Sequence, residues 1–193
     1  MTCRIVLCGA NSVGKTTLAE DWCKKHEEYT YIVEVARDVM KKHGIMREDV
    51  RTSLKTPEKY ALLRLQDLIF QEQNRQELAH ESCKALIVDR GPDPLAFLCQ
   101  LKDQTAADDM SKSPAASACI ERYRSSCLVV VVGLLETVDD DGFRMVQERQ
   151  EQEEFTKILC SQLDRHHIPY HCLKETDREK RVLELEKFVK GMP

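Results

Sequence analysis

Eight residues near the amino terminus have the types and spacing to hold a phosphate. Gly9-Ala10-Asn11-Ser12-Val13-Gly14-Lys15-Thr16 fits the pattern G-x-x-x-x-G-K-[ST]. Glycine lets the backbone turn tightly and approach a ligand with no Cβ in the way. The loop's N–H groups then converge on phosphate oxygens at the positive end of the helix that follows. The residues expected around the phosphates are Gly9, Asn11, Ser12, Val13, Gly14, Lys15, Thr16 and Thr17. Lys15 is placed to reach the β- and γ-phosphates. The Thr16 hydroxyl suits magnesium, a hard cation that prefers oxygen.

A second stretch carries chemistry of the same kind. Ala85-Leu86-Ile87-Val88-Asp89 is an apolar run ending in aspartate, followed by Arg90-Gly91-Pro92-Asp93. An aspartate at the end of a buried strand is the Walker B arrangement, in which the carboxylate holds the magnesium ion. Arg90 and Asp93 fall on the same edge. Asp93 reads equally well as the N-cap of the next helix, since Asp is a preferred cap. The second apolar run, Tyr29–Val35, ends near Glu34, and Arg37 follows it. An acidic residue there lies at the carboxyl end of the sheet, where open α/β folds bind ligands. The acidic loop from Glu136 to Arg144 stands where phosphotransferases carry a lid. Arg144, and secondarily Arg149, are candidates to spread the charge of a transferring phosphoryl group. Arg149 reads equally as a surface arginine paired with Asp140 or Asp141.

The elements that must position these residues are regular. Arg4–Leu7, Tyr29–Val35, Ala85–Asp89, Leu128–Val132 and Tyr170–Leu173 read as strands with helical segments between them. This alternation predicts an α/β protein, a parallel sheet with helices on both faces. The first helix is expected from Lys15 to His26. A long one should be capped by Thr56-Pro57 and run to about Ser82, with the polar stretch Gln71–Glu77 as its solvated face. The polar segment 101–114 reads as a mobile insertion. Helices are expected over Gln147–His166 and, capped by Thr176-Asp177, over Arg178–Val189. The loop Lys174–Asp177 is the candidate seat for an adenine. His166, His167, His171 and Cys172 fit no zinc spacing and read as a helix end followed by a strand.

Composition narrows the classes. The 193 residues suffice for one domain, expected to span 1–193, with a net charge of −4 and 42% hydrophobic residues. That charge indicates no basic face for nucleic acid, and no apolar run reaches the length of a membrane span. Nine cysteines without a C-x-x-C pair suit a reducing, cytoplasmic setting. The first apolar run is too short for a secretory signal and reads as the first strand.

The phosphate loop, Glu34-Val35-Ala36-Arg37, Asp89-Arg90-Gly91-Pro92-Asp93 with Leu95-Ala96-Phe97, and Asp141-Gly142-Phe143-Arg144 together resemble the NadR-type AAA-domain family. That family includes the ribosylnicotinamide kinase domain of NadR and eukaryotic relatives such as the TRPL translocation defect protein family. The resemblance covers most of the chain. It implies a nucleotide-kinase-like P-loop NTPase fold, three layers around a five-stranded parallel sheet in the order 2-3-1-4-5. It also implies ATP and magnesium, with the second substrate beside Glu34, Arg37, Asp89 and Arg90. The length leaves no room for the adenylyltransferase domain attached to the bacterial enzyme, so the nicotinamide substrate is not carried over.

Two functions follow as expectations. In the first, the chain is a kinase that passes the γ-phosphoryl group of ATP to a hydroxyl or phosphate of a small nucleoside- or nucleotide-like acceptor. Lys15, Glu34, Asp89 and Arg144 are its catalytic candidates, Thr16 and Asp89 its metal ligands, and Glu34, Arg37, Arg90 and Asp93 its acceptor contacts. In the second, the chain is a regulatory nucleotide-binding adaptor, ATPase- or GTPase-like, with a peripheral phospholipid contact such as some eukaryotic relatives imply. The sequence lacks an N/T-K-x-D guanine-reading motif, and Arg90 stands where ring motors place a water-activating glutamate.

Overall fold

The computed structural model describes residues 3–46, 60–101, 103–135 and 149–191. The five apolar runs form strands β1 (Cys3–Cys8), β2 (Tyr29–Ile32), β3 (Ala85–Asp89), β4 (Leu128–Val132) and β5 (Tyr170–Leu173). Every pairing is parallel and the order is β2-β3-β1-β4-β5. β3 and β4 are buried at every residue, which is why their sequences are continuous runs of Val, Leu and Ile instead of alternating. β2 stops at Ile32, opposite Val88, short of the expected Val35. The next residue, Val33, is 52% exposed, and Glu34 lies beyond the pairing.

The helices are α1 (Lys15–Lys25), α2 (Ala36–Lys42), α3 (Tyr60–Ala79), α4 (Asp93–Gln100), α5 (Gln104–Ser111), α6 (Pro114–Ser126), α7 (Arg149–Arg165) and α8 (Arg178–Lys190). α1 packs over β1, β2 and β3 and against α8, while α3 packs on α6 and α4 packs on α5 and α7. The core between sheet and helices is filled by Trp22, Phe70, Tyr123 and Phe155 with the strand residues Ile5, Leu7, Leu86 and Ile87. Asp177 caps α8 by accepting from the Lys180 N–H at 3.0 Å. The cap expected at Thr56-Pro57 lies outside the described residues. No described helix is long and apolar enough to cross a membrane.

Two sequence expectations are corrected here. Most of the polar segment 101–114 is no mobile insertion: residues 104–111 form α5. Asp103 caps it through the Ala106 N–H at 3.0 Å, Ala107 is buried, and Asp108 takes both Nε and Nη2 of Arg165 on α7 at 3.0 and 2.7 Å. Polar residues dominate its outer face and hide its small apolar seam. Nor is Gln71–Glu77 wholly a solvated face. Gln73 and Glu77 are both 2% exposed. Glu77 accepts from the Tyr123 hydroxyl at 2.7 Å, the Gln73 amide at 2.8 Å and Arg122 Nε at 3.0 Å, pinning α3 to α6. Buried polar groups persist where they are paired in this way.

Candidate active site

Strand register brings the chemistry to one edge. Leu7 pairs with Asp89 and Cys8 with Val131, so the chain turning at Gly9 leaves the sheet level with the end of β3 and with Gly133. Glu34 stands two residues past Ile32, which pairs with Val88. The turn at Gly9 has φ of 143°, and a Cβ there would meet the Val132 carbonyl oxygen at 2.9 Å. At Gly14 φ is 82°, a left-handed conformation that opens α1. Both positions require glycine.

Lys15 is buried under the loop it serves. Its Nζ donates to the carbonyls of Gly9 at 2.9 Å and Ala10 at 2.6 Å. Burial, and then the Arg90 guanidinium, pull its pKa down to about 8, against the attraction of Asp93, Asp89 and Glu34. A phosphate brought to the loop restores the counter-charge that this cation lacks. Val13 contributes only backbone, because its side chain is in the core. Asn11 and Ser12 line the cleft, and the Thr17 side chain is exposed.

Thr16 and Asp89, the expected metal pair, are in contact: the hydroxyl donates to Asp89 Oδ2 at 2.6 Å. Tyr31 donates to the same oxygen at 3.2 Å. The other oxygen, Asp89 Oδ1, is buried with no hydrogen-bond partner among the described residues. A buried carboxylate oxygen with an unmade bond, beside a threonine hydroxyl and below a phosphate loop, fits an oxygen-ligated magnesium ion. His166, His167, His171 and Cys172 span the end of α7 and β5. Among the described residues no group of three or more His, Cys, Asp or Glu side chains is gathered for a metal.

Arg90 organises the floor of the site. Its backbone has φ of 86°, left-handed and unusual for a residue with a side chain. From there Nε donates to Glu34 at 2.6 Å, Nη1 to Asp93 Oδ1 at 3.3 Å and Nη2 to Asn11 Oδ1 at 2.5 Å, and the guanidinium carbon lies 5.8 Å from the centre of the Phe97 ring. Burial pushes the Glu34 carboxyl up. The Arg90, Lys15 and Arg37 charges override it and hold the group below the usual glutamate range. Asp93 lines the cleft, yet it is not the cap of α4. It is 0% exposed, accepts from the Gly9 N–H at 3.1 Å and the Gly91 N–H at 2.9 Å, and the cap position is Pro92. Its carboxylate ties the phosphate loop to the turn after β3.

Between these groups opens a cleft of about 220 Å³. Lys15, Thr16, Glu34, Arg37, Asp89, Arg90 and Asp93 all line it, so most expected site residues come together. Arg144 lies outside the described residues, as do Asp140 and Asp141. Arg149 is exposed and pairs with Glu153 on its own helix at 3.4 Å. In the Lys174–Asp177 loop, all four backbone N–H groups already bond to carboxylates: Lys174 and Glu175 to Glu184, and Thr176 and Asp177 to Glu175. Arg181, missed from the sequence, joins that loop to the phosphate loop. It donates to the carbonyls of Glu175 at 2.7 Å, Val13 at 2.6 Å and Gly133 at 2.9 Å. Three further residues stand at the site without having been singled out: Gln152, whose amide donates to the Asn11 carbonyl at 2.8 Å, Tyr31, and Gln66, which lines the cleft. Only Tyr31 had a signal, standing in the strand that leads to Glu34.

Comparison with known proteins agrees with this fold. The AAA domain family profile matches residues 4–181. No curated protein matches the chain by sequence. Among solved structures, NadR protein in complex with NR superposes with a TM-score of 0.73 at 15% identity, over 99% of this chain and 52% of that one. NadR protein in complex with NAD and AMP-PNP gives 0.67 at 13%, over 100% and 51%. Deoxyadenosine kinase from M. mycoides gives 0.62 at 12%, over 98% and 100%. The chain thus spans about half the length of the NadR chains it matches. At such identities the likeness establishes the fold, that of a P-loop kinase. The chain belongs to the AAA domain family.

Proposed function

We propose that the chain is an ATP- and magnesium-dependent phosphotransferase acting on a small nucleoside- or nucleotide-like acceptor. The observation that carries this reading is the cleft that runs from the phosphate loop to Glu34 and an apolar wall. It leaves room for a second molecule beside the γ-phosphate position. The loop N–H groups and Lys15 hold the ATP phosphates. Thr16 and Asp89 hold the magnesium ion, whose chemistry when bound is to neutralise charge on the phosphate oxygens. Glu34, kept ionised by Arg90, faces the acceptor and takes its hydroxyl proton. The acceptor oxygen bonds to the γ-phosphorus as the bond from that phosphorus to the ADP oxygen breaks. Such transfer asks the protein mainly for positioning and charge stabilisation, and Arg144 is the proposed lid contribution to the latter.

Transfer of labelled γ-phosphate from ATP to a panel of hydroxyl acceptors tests this. Glu34→Gln should lose transfer by at least ~10²-fold while its affinity for AMP-PNP stays within a few-fold. Unchanged transfer in Glu34→Gln, or label that reaches only water, would overturn the reading.

A further inference from the structure

The acceptor end of the cleft has a chemical character that the phosphate machinery does not explain. Met40, Leu65, Ile69, Pro94 and Phe97 form its apolar wall. The Phe97 ring is held in place by Phe155, 4.7 Å away and tilted by 52°, and by the Arg90 guanidinium beneath it. Set among these apolar residues is Gln66 on α3, only 5% exposed. Its Oε1 is buried and has no hydrogen-bond partner among the described residues. A buried amide oxygen with an unmade bond is costly unless something supplies the donor. In an apolar slot with a fixed aromatic wall, a flat ring bearing an N–H group supplies both the stacking surface and the donor.

The charges argue for a neutral molecule. The described cations lining the cleft are Lys15, Arg37 and Arg90. Lys15 sits on the phosphate loop. Three of the five Arg90 N–H groups are committed to Glu34, Asp93 and Asn11. Arg37 is exposed on α2, at the rim. Glu34, Asp89 and Asp93 line the same space, so an acceptor carrying its own phosphate or carboxylate meets three acids, and the buried Arg90 charge is already paired with two of them.

We infer that the acceptor is an uncharged nucleoside-type molecule whose flat ring packs on Phe97 and donates an N–H to Gln66, and that Gln66 determines which ring is taken. This rests on the phosphotransferase reading for its acceptor, but its test reads binding separately from turnover. Calorimetry with adenosine, cytidine, guanosine and uridine, each beside its 5′-monophosphate, measures affinity in the presence of AMP-PNP. Purine riboside serves as a ring without a donor. At least one nucleoside should bind ~10-fold or more tightly than its monophosphate. Gln66→Leu should weaken that nucleoside by ~10-fold or more and leave purine riboside unaffected. Monophosphates that bind as well as nucleosides, equal losses for donor and donor-free rings, or no nucleoside binding would overturn the inference. Should Gln66→Leu fail to fold, the nucleoside that binds, set against its ring analogue lacking the N–H donor on the unsubstituted protein, decides the donor: equal affinity overturns it. A nucleoside that binds in this way but releases no ADP supports the inference and contradicts the phosphotransferase reading. ADP release that depends on monophosphates alone does the reverse.

Discussion

Lys15 shows how burial and function oppose one another at a single residue. Its pKa of about 8 means that the unliganded protein sheds this proton near pH 8, whereas a bound phosphate favours the cation. Nucleotide binding should therefore take up a proton above pH 8, and affinity should fall towards tenfold per pH unit. Calorimetry in buffers of different ionisation enthalpy measures the uptake, which Lys15→Met should abolish; affinity constant from pH 7.5 to 9.5 would count against it. Between about 8 and the ordinary lysine value of 10.5 the unfolded chain holds a proton that the folded one has lost. This group accordingly makes the unliganded protein more stable as pH rises through that window. Asp93 carries a different burden. Asp93→Ala strands the Gly9 and Gly91 N–H groups and leaves Arg90 short of a buried partner. We expect a loss of about 3–5 kcal/mol in denaturant unfolding, with weakened nucleotide binding. An unchanged midpoint would show that these bonds are replaceable.

At the level of elements, the contact between α3 and α6 depends on one buried carboxylate. Glu77→Ala should cost about 3 kcal/mol in urea unfolding, because Tyr123 and Arg122 lose their shared partner, while AMP-PNP affinity stays unchanged. A change within ~0.5 kcal/mol would return Glu77 to the solvated face that its neighbours suggest. The sequence misleads here for a physical reason. Gln71 to Glu77 is polar at every position, and periodicity cannot distinguish a polar residue facing water from one facing a hydroxyl on a distant helix. The same holds for α5, whose apolar residues are only Ala106, Ala107 and Met110. The strands were readable because a sheet covered on both faces needs unbroken apolar runs, and β3 and β4 have them. Motifs that act through backbone and local spacing were readable too, which is why Lys15, Thr16 and Asp89 fell where the pattern put them. Arg181 and Gln66 work through partners, or unmade bonds, far along the chain, and no local pattern marks them.

On the scale of the whole molecule, the parallel order β2-β3-β1-β4-β5 gathers Gly9, Glu34, Asp89 and Arg90 from three strands onto one edge. On the proposed function nucleotide binds the folded edge and not its dispersed parts, so saturating Mg-ATP at ~100 times Kd should stabilise the protein by about 2.7 kcal/mol. For a chain of this size that raises Tm by roughly 5–10 °C. Lys15→Ala should lose the shift, and a shift that persists there would place the nucleotide elsewhere. Acceptor dependence, however, separates a phosphotransferase from a protein that only holds nucleotide. The most direct measurement is ADP formation from Mg-ATP with and without each nucleoside, beside Lys15→Ala as control. The account predicts release that rises at least ~10-fold with one acceptor and vanishes in the control. Tight nucleotide binding with slow release, indifferent to every acceptor, would contradict it.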